Sequence, residues 1–176
     1  MPRMRRRLTT PPPRTPAQRA GDVAEDAAFG AGAGALATGA MSALMVAAER
    51  AGLMGRHPPE AITETILDGA GVEVGSEALE NAVATALHFA FGAAAGALFE
   101  VGRRRLPLDR RASVPAGAAW GLAVWAVSYA GWVPWLRILP PPDEDRLDRQ
   151  LTMVAAHLVY GATLGAILAR RRAGRG

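Results

Sequence analysis

The chain has no cysteine and no lysine. Without thiols there are no disulfides, thiolate metal sites or sulfur nucleophiles, and cysteine usage says nothing about redox compartment. Without lysine there is no Schiff-base chemistry, no phosphate-loop lysine and no lysine general base. Aromatic residues are scarce at 6%. No Walker loop, H-E-x-x-H helix or G-x-S-x-G elbow occurs in the 176 residues. Charge is also missing, but locally: residues 27–48, 81–99, 112–136 and 151–169 contain no Asp, Glu or Arg.

Each of these runs is near or above the roughly 18 to 20 residues that span a bilayer core. The expected fold is an all-α membrane protein with four transmembrane helices at about 27–50, 79–101, 113–137 and 150–170. A soluble alanine-rich bundle would need charged positions recurring along every helix to face water, and the four runs have none. The mean hydropathy of only +0.10 reflects dilution by arginine-rich tails and Ala/Gly-rich spans. A net charge of +4 and a pI near 10.8 would suggest a nucleic-acid partner in a soluble domain. Here the charge is segregated along the chain, which points to the lipid bilayer as partner and not to nucleic acid.

The first 26 residues combine arginine with proline and read as a disordered cytoplasmic arm, followed by a transmembrane domain over 27–170 and a basic cytoplasmic tail at 171–176. Proline and charge fill the stretch before Phe29, so the first span is expected to be retained and not cleaved as a signal. Arg3, Arg5, Arg6, Arg7, Arg14 and Arg19 precede span one; Arg103, Arg104, Arg105, Arg110 and Arg111 separate spans two and three; Arg170, Arg171, Arg172 and Arg175 follow span four. That puts 15 of 20 arginines on one side, while the other two loops hold eleven carboxylates. By the positive-inside bias both termini are cytoplasmic. Glu100 with Arg103 or Arg104 falls at a helix end, where long side chains are expected to reach the interface. In the first outer loop, Pro59, Ile62, Ile66 and Gly69 predict a short amphipathic surface helix over about 59–69.

The two halves share landmarks. Gly30 and Gly34 correspond to Gly117 and Gly121, Pro58, Pro59 and Glu60 to Pro141, Pro142 and Asp143, His88 to His157, and Gly92 and Gly96 to Gly161 and Gly165. Two spans per unit predict a parallel repeat of two helical hairpins, related about the membrane normal. Small residues four apart let helices approach closely in lipid, so all eight glycines are expected to mediate helix packing, and the same Gly-rich faces offer a route to a homo-oligomer. His88 and His157 lie on those glycine faces, about 10 to 14 Å inside the membrane if their spans begin near 79 and 150.

Three roles are open for the histidines. They can hydrogen-bond a neighbouring helix, through Thr38, Ser42, Thr85, Ser128 or Tyr129, and fix packing. They can form a proton-responsive or permeation element of a small transporter or pore. They can ligate a haem as a bis-histidine pair in a membrane redox protein, although no further ligand is visible. His57, before Pro58, reads as a surface residue. Trp132 and Trp135 flank Pro134 near the outer end of span three and suggest an aromatic belt with a local kink; Trp125, Tyr129 and Trp132 form a packing stripe. No catalytic residue, metal site or resident cofactor is expected.

The order "GLMGRHPPEAITE", "HFAFGAAAGALFE", "WVPWLRILPPP" and "MVAAHLVYGATLGAILA", over about residues 28–170, resembles small bacterial four-span proteins of the YagU-type inner-membrane family. The resemblance implies an uncharacterised, non-enzymatic protein of the bacterial cytoplasmic membrane, in a group loosely associated with stress and acid tolerance. It supplies no catalytic residues.

Overall fold

The computed structural model describes residues 15–53, 76–106, 108–135 and 146–173, together with Thr63, Thr65, Leu67, Gly69 and Gly71. Among the described residues there is no strand. Helix α1 spans Pro16–Arg50, α2 Glu77–Gly102, α3 Arg110–Val127 and α4 Leu147–Ala173. Three of them, α1, α2 and α4, are long and apolar enough to cross a membrane by length and composition.

The helix starts follow from their caps. Helix α1 begins at Pro16, not at 27, so residues 16–26 of the expected arm are helical. Thr15 and Gln18 make a reciprocal capping box: the Gln18 N–H donates to the Thr15 hydroxyl at 3.3 Å and the Thr15 N–H to the Gln18 side chain at 2.8 Å. Pro16 fills the first turn, where its missing N–H is no loss. Charge decides whether a segment sits in lipid; alanine content and a cap decide whether it is a helix. Ser76 accepts from the Leu79 N–H at 3.3 Å to start α2, and Asp109 from the Ala112 N–H at 2.7 Å to start α3.

The expected third span is not one continuous α-helix. Helix α3 stops at Val127 and passes into a π-helical stretch at Ser128–Trp132, then one α turn at Val133–Trp135. Pro134 cannot donate to the carbonyl four residues back, and the Val133 N–H instead reaches the Ser128 carbonyl one residue beyond α register. Ser128 donates its own hydroxyl to the Val124 carbonyl at 2.6 Å.

Helix α1 packs along α2, α3 along α4, and α1 along α4, whereas α2 and α3 barely touch. The core runs down the middle through Ala33, Ala37 and Met41 of α1, Ala95 and Phe99 of α2, and Ala156, Leu164 and Leu168 of α4. Trp125 and Tyr129 stack with ring centroids 6.2 Å apart and join that core. Of the expected surface helix at 59–69, Thr63, Thr65, Leu67 and Gly69 are helical, and Thr63 is buried; the rest lies outside the described residues, as do His57, the Pro-Pro-acid steps of both loops, residues 1–14 and residues 174–176.

Candidate functional site

The glycines bring the helix backbones together. Gly30 and Gly34 of α1 lie against Gly96 and Gly92 of α2, and Gly117 and Gly121 of α3 against Gly165 and Gly161 of α4. A β-carbon at Gly34 would run into the Gly92 carbonyl, one at Gly117 into the Gly161 carbonyl, and one at Gly121 into the His157 carbonyl. These contacts are backbone to backbone, so nothing can swing aside. Both Gly-x-x-x-Gly pairs are thus occupied within one chain, and an oligomer through the same faces would have to displace them.

The two histidines line one small cavity. Thr38 and Met41 of α1, His88 and Phe91 of α2, Val124 of α3, and His157 and Tyr160 of α4 contribute to its wall. Its volume of about 30 Å³ is room for a water or two. Among the described residues the titratable groups on the wall are His88, His157 and Tyr160, and no carboxylate or guanidinium lines it. His157 is buried, and its Nδ1–H donates to the Met153 carbonyl of its own helix at 2.8 Å. A carbonyl can only accept, so Nδ1 carries the proton and the neutral ring keeps its lone pair on Nε2. His88 is half-buried, packs edge-on against Phe89, and has its Nε2 shut off from solvent.

Two of the hydroxyls named in the sequence as partners for the imidazoles bond elsewhere. Thr38 donates to the Gly34 carbonyl at 2.9 Å and Ser128 to Val124, each within its own helix. The polar link between helices comes from Tyr160, which sequence reasoning treated only as the aromatic of a motif. Its hydroxyl donates to the Gly92 carbonyl at 2.7 Å, tying α4 to α2. The signal was present in the repeat: the first copy has Phe91 where the second has Tyr160.

A second polar centre was also missed. Glu100 and Arg103 are both buried and paired, with the guanidinium also reaching the Leu168 carbonyl at 3.4 Å. Arg104 is partly exposed and pairs with Asp26 at 2.9 Å. Arg171 of α4 joins Glu100 at 3.5 Å, Asp26 at 3.1 Å and Glu25 at 3.0 Å, and lies over the Phe29 ring at 4.3 Å. The early part of α1, the C-terminal end of α2 and the C-terminal end of α4 therefore meet at one end of the molecule. Among the described residues no three His, Asp or Glu side chains gather as a metal site.

Long apolar helices and a helical interior joined by glycine define an α-helical protein with the make-up of a membrane protein. Residues 24–175 match the family described as "Family of unknown function (DUF6789)", and the chain belongs to that family. No curated protein and no solved structure matches it.

Proposed function

We propose that this chain is a non-enzymatic, four-span protein of the bacterial cytoplasmic membrane, with both termini inside, and that it responds to protons through His88 and His157. In this reading the two hairpins, α1 with α2 and α3 with its π-helical extension and α4, are the parallel repeat. The observation that carries the proposal is the cavity the two imidazoles share. His157 bonds its own helix, and at the cavity Tyr160 links α4 to α2, so His157 is not needed as the pin between helices. Among the described residues no carboxylate lines that wall, so in this reading a new cation on it is met by water entry or helix displacement. That coupling is what a pH-responsive element needs. The likeness to the YagU-type group, with its loose link to acid tolerance, fits the same role. The bis-histidine haem reading draws no support from a cavity with room for a water or two.

The test is proton flux in proteoliposomes loaded with a pH-sensitive dye. The wild-type chain should pass protons above the level of empty liposomes, more so as the outside pH falls, and the His88→Ala, His157→Ala double variant should fall to the empty-liposome level. Equal traces for wild type and double variant would remove the proposal.

A further inference from the structure

The geometry points to Glu100 as an inner gate: its ion pairs with Arg103 and Arg171 hold shut the end of the helix assembly that lies one apolar layer away from the histidine cavity. This inference rests on the proton-responsive reading and adds to it a residue that the histidines cannot supply. His88 and Glu100 are twelve positions apart on α2, about 18 Å along a helix, and His157 and Arg171 fourteen apart on α4, about 21 Å.

Between the two polar centres the interior is apolar and closed. Ala33, Ala95, Phe99, Leu164 and Leu168 are all buried there, and Phe99 stacks on Trp120 at 5.7 Å across the otherwise open seam between α2 and α3. No proton can traverse that layer without water, so conduction requires the layer to part. The layer is fastened at its far side by Glu100. This carboxylate faces Arg103 in the 3-10 turn that follows α2 and Arg171 on α4; Arg171 faces Asp26 and Glu25 on α1, and Arg104 extends the chain of pairs through Asp26. Three carboxylates and three guanidiniums balance, and Arg103 is bonded to the carbonyl of Leu168 in the layer itself. Arg103 also keeps its Nη1 buried with no hydrogen-bond partner. The buried centre of the cluster, Glu100 with Arg103 and Arg171, is a poor device for stability alone, and the best-attested use of such a group is to set register or act as a switch. Neutralising Glu100 leaves Arg103 and Arg171 facing each other across α2 and α4, and the end should part.

The natural absence of cysteine makes the opening directly readable. In the full-length chain in liposomes, a single Ala33→Cys reporter sits in the apolar layer. A membrane-impermeant maleimide applied from the arginine-rich side should leave the reporter unlabelled. Adding Glu100→Gln, or Arg171→Gln if the first variant does not assemble, should raise the labelling rate about tenfold or more. The charge swap Glu100→Arg with Arg171→Glu should restore protection. In the dye assay Glu100→Gln should raise proton flux, and the double histidine variant should abolish that gain. Unchanged labelling in folded Glu100→Gln and Arg171→Gln proteins would overturn the gate while leaving the histidine proposal standing. Accelerated labelling with no proton flux in any variant would keep the latch and remove the histidine proposal.

Discussion

The two halves of the molecule use one sequence module in two settings. In α2 the module's histidine is half-buried and its aromatic, Phe91, is 49% exposed; in α4 His157 and Tyr160 are 6% and 2% exposed. The glycines behave alike in both, drawing α1 to α2 and α3 to α4. The difference comes from neighbours: α4 packs against both α3 and α1, while α2 has α1 on one side and little of α3 on the other. The module therefore specifies how a hairpin closes. Which way its histidine and aromatic look is decided by where the hairpin sits.

The halves diverge most at the residue eight positions after the first glycine of the module, Glu100 in one copy and Ala169 in the other, and both are buried at 5% exposure. Removing Glu100 strands Arg103 and weakens the hold of Arg171, so Glu100→Ala should have the largest effect, about 3 to 5 kcal/mol of stability. Ala169→Gly, which removes one methyl from the equivalent place, should cost only about 1 kcal/mol. Thermal or denaturant unfolding in detergent measures both. Similar losses for the two would mean that the charge cluster contributes nothing beyond side-chain volume.

A sharper comparison uses the first glycine of each module. A methyl at Gly161 collides with the backbone of Gly117 and Ala118, which cannot yield without separating α3 from α4. A methyl at Gly92 collides with the Thr38 side chain, which can. Gly161→Ala should thus cost about 1 to 3 kcal/mol, and Gly92→Ala less. Thr38→Ala should recover most of the Gly92→Ala loss, because it removes the atom in the way. Equal losses for the two glycine variants, with no recovery from Thr38→Ala, would show that the Thr38 contact is as unyielding as the backbone contact and that the two halves do not differ here.

How much of this was legible depends on the range of the interaction. The absence of charge marks the apolar helices, and a four-residue spacing puts Gly30 with Gly34 on one face; that face is the one that meets α2. Pro134 announces a disturbance in the third segment, but not that the backbone absorbs it as a π-helical stretch before the proline. Helix α1 starts well before the apolar run, because Thr15, Gln18 and Pro16 set its start. The second polar centre was out of reach: Glu25 and Arg171 are 146 positions apart, and no local pattern couples them. The burial of Glu100 is hidden from local pattern for the same reason, since it depends on α4 arriving beside it.

The finest test of the comparison exchanges the aromatics of the two modules. Tyr160→Phe removes one hydrogen bond, to the Gly92 carbonyl, and keeps the ring in place. That carbonyl also faces the crowded approach of Gly34, so no other donor is at hand to replace the hydroxyl. The loss should be about 0.6 to 1 kcal/mol, the scale of inter-helix hydrogen bonds in lipid. The reciprocal Phe91→Tyr should gain nothing, because Phe91 is half exposed and its new hydroxyl would look toward lipid or the cavity mouth rather than a backbone acceptor. Small shifts of this size are best read as differences in thermal midpoint between paired variants. If Phe91→Tyr stabilised the protein as much as Tyr160→Phe weakened it, the two modules would be energetically interchangeable, and the asymmetry that sets His88 at the edge and His157 in the core would need another cause.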